Sequence, residues 1–222
     1  MTKTLFVDAH TFDEHHQGIR TFIKGIYDSI DISSSELQIF LAAYDIENLK
    51  AEFSNQAYFK FIKLKSKNKY RRLAFEIPKI IKDYKFDFAH FNYYLPLFLN
   101  KKCKYIVTIH DVLFIDYPQY FSLKYRLINT FLFKRSAINA NIVTTVSNYS
   151  ADRIKTNFNL TDKKIEVLPN AVNTKYTLNH DKTVDKIYLK EKYDLDKFIV
   201  YVSRIEPRKN HKKLILAYQE LK

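Results

Sequence analysis

The sequence predicts an α/β fold built on a parallel sheet, and three observations carry that expectation. Short apolar runs such as Thr4–Val7, Leu37–Ala43, Lys104–Ile109 and Ile142–Val146 recur along the chain. Stretches of helical periodicity separate them, an alternation that places helices on both faces of a sheet whose strands run the same way. Apolar residues make up 46% of the 222 positions and aromatic residues 16%, enough to fill a sizeable core.

Taken in order, Thr4–Val7 reads as a buried first strand, followed by a polar loop over 8–17 and a helix over 18–30. A second strand at Leu37–Ala43 precedes a helical stretch over 45–53. Tyr58–Leu64 alternates apolar with basic residues, as a strand nearer the sheet edge does. Tyr70–Tyr84 is helical in pattern, with Pro78 expected to kink it. Phe86–Phe91 and Lys104–Ile109 are two more strands. A long helix is expected from Gln119 to Ala140, with Phe121, Tyr125, Ile128, Phe131 and Leu132 on one side. Ile142–Val146 and Lys164–Leu168 follow as strands, separated by a helix opening at Ser147 or Asn148. These elements make a Rossmann-like domain over 1–175. A polar stretch at Asn173–Val184 reads as a linker. Residues 176–222 then give a helix over 185–193, a strand at Phe198–Val202, a loop, and a helix from His211. A central parallel strand needs neighbours on both edges, and none follow within the 222 residues, so the second domain is expected to be incomplete.

Composition narrows the function classes. A single cysteine, Cys103, excludes a disulfide framework and fits a reducing compartment. The N-terminus runs straight into a strand with no signal peptide, and the longest apolar stretch, Tyr93–Leu99, is far too short to span a bilayer. A soluble or peripheral protein in the cytoplasm is expected. The formal charge of +13 is unevenly placed: seven basic residues and no acidic one lie between Phe59 and Phe75. With Phe59, Phe61, Tyr70 and Phe75 interleaved, the segment Lys60–Arg72 is a candidate contact for an anionic membrane surface or for nucleic acid, or else a solvated face.

Chemistry-bearing residues cluster where strands end, which is where ligands bind in open α/β sheets. Tyr201–His211 empties an apolar run into a turn holding Arg204, Arg208 and Lys209 ahead of a helix, a pattern suited to phosphate. After the first strand come His15, His16, Gln17, Gly18 and Arg20; Gly18 permits close backbone approach and Arg20 lies in the first helical turn. No metal-ligand pattern accompanies the two histidines. His110 and Asp111 follow the fifth strand, fit to bind hydroxyls or to serve as a general base. Ser147 stands at a strand-to-helix junction, where capping alone explains it. Pro169-Asn170-Ala171 forms a turn in which Asn170 borders the strand ends. The P-loop and Gly-x-Gly-x-x-Gly patterns are absent, arguing against nucleotide hydrolases and dehydrogenases.

Five motifs occur in one order: His15-His-Gln-Gly-Ile-Arg20, Thr108-Ile-His-Asp111, Val146-Ser-Asn-Tyr-Ser150, Pro169-Asn-Ala-Val-Asn173 and Ser203-Arg-Ile-Glu-Pro-Arg-Lys-Asn210. Their series resembles the retaining GT-B glycosyltransferases of family 4, over the first domain and the opening of the second. Gln17 and Ala171 replace glycines of the family pattern. The resemblance implies metal-independent transfer of a hexose from a nucleotide sugar, with GDP-mannose the suggested donor, to a glycan or lipid-linked acceptor in surface polysaccharide or lipopolysaccharide assembly. It places His110 at the reaction centre, gives Gly18, Arg204 and Lys209 to the donor, and makes Arg20, Asp111, Ser147 and Asn170 acceptor-contacting or cleft-lining. The family's Glu-x7-Glu motif is expected beyond Lys222, so the 222-residue chain is expected not to turn over, with the enzyme peripheral on the inner face of the cytoplasmic membrane. The rival readings are a noncatalytic remnant of such an enzyme and a basic nucleic-acid-binding α/β protein.

Overall fold

A computed structural model describes residues 2–13, 18–30, 36–53, 58–172 and 181–221. It divides into two compact units, Met1–Ala171 and Val172–Lys222.

The first unit is a seven-stranded sheet. Its strands are β1 (Lys3–Asp8), β2 (Leu37–Ala43), β3 (Phe59–Lys63), β4 (Phe88–Asn92), β5 (Lys104–Thr108), β6 (Ile142–Thr145) and β7 (Ile165–Val167). They lie in the order β3-β2-β1-β4-β5-β6-β7, every pairing parallel. The basic strand β3 sits at an edge, as its alternation predicted. The chain builds outward from β1 on one side, then returns to β4 on the other, so the topological switch lies between β1 and β4. Alternate residues feed opposite faces: Phe6, Ala89 and Phe91 join one apolar cluster, Leu5, Val7 and Leu41 the other. Both faces are covered, which is why these strands read as nearly continuous apolar runs.

The helices are α1 (Gly18–Ser29), α2 (Ile46–Phe53), α3 (Lys69–Arg71), α4 (Ile77–Tyr84), α5 (Leu113–Asp116), α6 (Leu123–Asn139) and α7 (Asn148–Phe158). Asn68 opens α3 by accepting from the backbone of Tyr70 and Arg71. A π-helical segment, Arg72–Glu76, joins α3 to α4, and Ile77 N–H donates back five residues to Arg72. Pro78 has no N–H to offer a four-residue ladder, and the wider turn at its approach takes up the mismatch. This turn also rotates Arg72 into the interior, where it is 3% exposed.

The structure corrects the long helix. It starts at Leu123, because Ser122 accepts from Tyr125 N–H and caps it there; a short 3-10 turn (Pro118–Tyr120) precedes it. Its buried face carries Asn129, Phe133, Ser136 and Ala137, while Tyr125, Ile128 and Phe131 of the expected stripe are exposed. The polar members are satisfied internally: Asn129 accepts from Tyr94 Oη at 2.5 Å, and Ser136 Oγ accepts from Leu95 N–H at 2.9 Å. Two bonded polar groups on the core side broke the apolar count that sequence periodicity relies on.

The second unit holds α8 (Lys182–Tyr193), opened by Asp181, a 3-10 turn (Pro207–Lys209) and α9 (His211–Glu220). The strand expected at Phe198–Val202 is not formed. A strand exists only through ladder partners, and no described residue pairs with this run. Its side chains are exposed, Val202 at 89%.

Candidate active-site face

The carboxyl ends of β1, β4 and β5 converge their polar residues on one end of the sheet. His110 follows β5 and Asn92 ends β4, and His110 Nε2–H donates to Asn92 Oδ1 at 2.9 Å. That bond leaves His110 Nδ1 as the acceptor. The edge of Phe22, from α1, meets the imidazole at 4.7 Å, and the Tyr93 ring lies 5.3 Å away. Burial among these rings lowers the His110 pKa to about 4, against an opposing pull from Asp111. The ring is therefore neutral at pH 7 and fit to bind a hydroxyl rather than carry charge.

Tyr93 holds a left-handed backbone at φ 65°, uncommon for a bulky residue. Its N–H donates to Thr108 O at 2.8 Å, and its ring stacks on Phe133 at 4.9 Å. Packing thus pins a strained residue beside the imidazole, as happens at binding sites.

Behind this pair runs a buried polar chain. His90 Nδ1 meets Tyr27 Oη at 2.6 Å, His90 Nε2 meets Thr108 Oγ1 at 2.8 Å, and Thr108 meets Thr144 at 2.6 Å. Burial depresses His90 to about 4, with His110 adding to the shift and Asp8 opposing it. The chain satisfies every polar group in it and fixes three neighbouring strands laterally.

At the β1–β4 switch lies a cavity of about 70 Å³ lined by Asp8, His10, Ile19, Lys69, Arg72, Leu73, Asn92, Tyr93 and Tyr94. Asp8 Oδ1 accepts from His10 Nδ1 at 3.0 Å. Burial would raise the Asp8 pKa, but His10 and Arg72 outweigh it and hold the carboxyl below its ordinary value. Burial, with Arg72 close by, brings the Lys69 ammonium down to about 8. Two donors here have no hydrogen-bond partner among the described residues, Arg72 Nε and Asn92 Nδ2. Leaving a buried donor unmade costs about 1–3 kcal/mol each, which sets this pair apart from the bonded polar groups around it.

The other sequence-predicted residues fall elsewhere. Arg20 is 6% exposed and ties α1 to α2, donating to Glu52 at 2.7 Å and lying over Phe12 at 5.0 Å. Gly18 begins α1, and a Cβ there would meet nothing within 4 Å. Asp111 Oδ1 accepts from Leu113 N–H at 3.1 Å, capping α5. Ser147 caps α7 by accepting from Ser150 N–H at 3.1 Å. Asn170 is exposed, and the turn expected at Pro169–Ala171 is not formed, with no positive φ at Ala171. His15, His16 and Gln17 lie outside the described residues. In the second unit Arg204 pairs with Glu206 at 3.4 Å and Arg208 pairs with the same carboxylate at 2.7 Å. Lys209 ends the 3-10 turn, whose last carbonyl accepts from Tyr201 Oη at 2.7 Å.

Asp8, Lys69, Arg72, Asn92 and Tyr93 were not among the predicted site residues. The rule that ligands sit at strand carboxyl ends could have found Asp8 and Asn92. Arg72 stood in the basic run with no mark of its burial.

A protein-family model described as Glycosyltransferase Family 4 matches residues 36–176. Over 96 residues the chain is 34% identical to N-acetylgalactosamine-N,N'-diacetylbacillosaminyl-diphospho-undecaprenol 4-alpha-N-acetylgalactosaminyltransferase of Campylobacter jejuni, covering 43% of this chain and 24% of that protein. Among solved structures, a glycosyltransferase from Rickettsia africae ESF-5 superposes with a TM-score of 0.58 at 17% identity, covering all of this chain and 58% of that one. The chain thus spans about a quarter of the curated relative and somewhat over half of the solved one. The solved relative shares the fold of the parallel sheet and its helices.

Proposed function

The chain belongs to glycosyltransferase family 4, and on that premise we propose that it serves transfer of a sugar from a nucleotide-sugar donor, with retention, to a lipid-linked acceptor in surface glycan assembly. The bond between the anomeric carbon and the nucleotide diphosphate breaks, and the acceptor oxygen takes its place on the same face. The acceptor's hydroxyl proton leaves with the diphosphate, so atoms and charge balance.

The observation that carries this reading is the neutral, orientated imidazole of His110 at the end of β5, held by Asn92 at 2.9 Å. An uncharged ring with Nδ1 as acceptor takes a hydrogen bond from a sugar hydroxyl without repelling developing positive charge at the anomeric carbon. Gly18, Arg204 and Lys209 are assigned to the donor, the two cations to its diphosphate, with no metal required. Arg20, Asp111 and Ser147 have local structural roles, and together with Asn170 they are assigned to the acceptor side and lining of the cleft. The exposed part of the basic segment, Lys60 to Arg71 with Tyr70, meets an anionic membrane surface, consistent with a lipid-linked acceptor and a peripheral place on the inner face of the membrane. Among the described residues no helix is long and apolar enough to cross a membrane.

The test is made at the protein's own gene. Membrane extracts of the source cells are supplied with labelled GDP-mannose, or with a nucleotide-activated N-acetylgalactosamine, the sugar in the Campylobacter relative's name, and lipid-bound label is counted. His110→Ala is expected to lower transfer about 100-fold or more. Transfer at the parental rate in that strain, with either donor, sinks the assignment.

A further inference from the structure

We propose that the cavity at the β1–β4 switch seats the phosphate of the acceptor lipid, gripped by Arg72, Lys69 and the Asn92 amide, with the lipid's first carbons in the apolar groove beside it. The inference rests on the reading of the acceptor as lipid-linked and names the place where its anion sits.

Four observations point this way. Arg72 and Asn92 are 3% and 5% exposed, both line the cavity, and each holds a buried donor with no hydrogen-bond partner among the described residues. Arg72 forms no ion pair within 4 Å among the described residues, although Asp8 shares the cavity with it. The carboxylate is engaged by His10, through both its ring and its backbone N–H. Arg72, the Asn92 amide and Lys69, whose ammonium rests 3.4 Å over the Tyr94 ring, therefore line a cavity whose one carboxylate is already in use, a donor-rich arrangement that suits a phosphate. The volume, about 70 Å³, suits one small anionic group and not a nucleotide.

The neighbouring groove supplies the second half. It holds about 230 Å³, and Tyr70, Leu73, Leu95, Leu97 and Leu132 are among the residues that line it. Lys69, Leu73 and Tyr94 belong to both walls, so the groove opens directly off the cationic cavity. On the other side Asn92 is bonded to His110. The order is apolar groove, anion cavity, imidazole, which matches hydrocarbon, phosphate and sugar in a lipid-linked acceptor. A free phosphate or an acidic sugar would use the cavity but leave the groove empty.

Titration calorimetry on the 222-residue chain separates these cases with two probes, geranyl diphosphate and inorganic pyrophosphate. Geranyl diphosphate is expected to bind about tenfold more tightly than pyrophosphate, because its alkyl carbons leave water. Arg72→Gln weakens both ligands about tenfold or more. Lys69→Gln, at the half-exposed rim, weakens both by several-fold and serves if the buried variant does not fold. Leu97→Ser weakens geranyl diphosphate alone. Absence of saturable binding by either probe overturns the site, as does binding untouched by both cation substitutions. Equal affinity for the two probes overturns the lipid assignment. None of these readouts uses sugar transfer, so a failure here leaves the catalytic reading standing, and saturable binding of the probes is measured whether or not the transfer assay succeeds.

Discussion

The sheet ends of the first unit and the basic turn of the second were both legible as binding chemistry, yet they are built in opposite ways. His110 and Asn92 are locked by rings from α1 and the β4 loop and backed by the bonded row Tyr27, His90, Thr108 and Thr144. Around Arg204 the clamps among the described residues are local: a carboxylate shared by two guanidinium groups, Tyr201 Oη on the Lys209 carbonyl, and Ser203 against His211. No described residue of the second unit is buried, and Phe198–Val202 lies open to solvent. Preorganisation comes from a core beneath a site rather than from the string that carries it. Among the described residues, the first region carries its own packing and the second is held by local bonds.

The largest effect expected is in the packing that supports the imidazole. Phe133 contacts Tyr93, Tyr94 and Phe114 at ring distances of 4.9, 5.1 and 5.1 Å. Phe133→Ala should cost about 3–5 kcal/mol in urea unfolding, while Val202→Ala should fall within about 0.5 kcal/mol of the parent. Equal costs at the two positions would erase the difference drawn here.

Next in size is a pH effect confined to the first unit. His90 is held near 4 in the fold, while an unfolded chain takes up the proton near its ordinary value of 6.5. Between those values the unfolded state binds more protons, so stability is full above 6.5, falls as pH drops through the window, and levels off below 4. For this fully buried ring the loss approaches about 3 kcal/mol. Unfolding midpoints from pH 7.5 to 4.5 check it, and His90→Gln should make the fall shallower, leaving the part that His110, also held near 4, contributes. A flat parental curve would mean the buried row is not held neutral.

The smallest effect concerns Ser147, which donates nothing to the buried row but caps α7. Ser147→Ala should lower stability by about 1 kcal/mol, and Ser147→Asp should restore most of it. No loss on truncation would show that the cap is idle and return Ser147 to the group facing ligand.

The strands were readable because their chemistry is local. Residues covered on both faces must be apolar at successive positions, so Leu37–Ala43 matched its strand to the residue. The edge position of β3 followed from its lysines. Helix α6 was misread because Asn129 and Ser136 face the core, each paid for by a bond to the β4 loop more than thirty residues away. The kink expected at Pro78 became a π-helical turn, since the chain had neighbours against which to widen. Of the site, His110 was visible from its place after a strand and its Asp neighbour. The cavity was not, because Arg72 differs from Arg71 only by the turn that rotates it inward.

The amino-acid order alone determined the alternation of strand and helix, the parallel sense of the sheet and the cap residues, because each depends on periodicity or on groups a few positions apart. Tertiary structure alone decided which lysine or arginine became a buried donor and which face of α6 met the core. Those outcomes depend on partners distant in sequence, and hydrogen bonds, desolvation and ladder pairing act only between groups that folding has brought together.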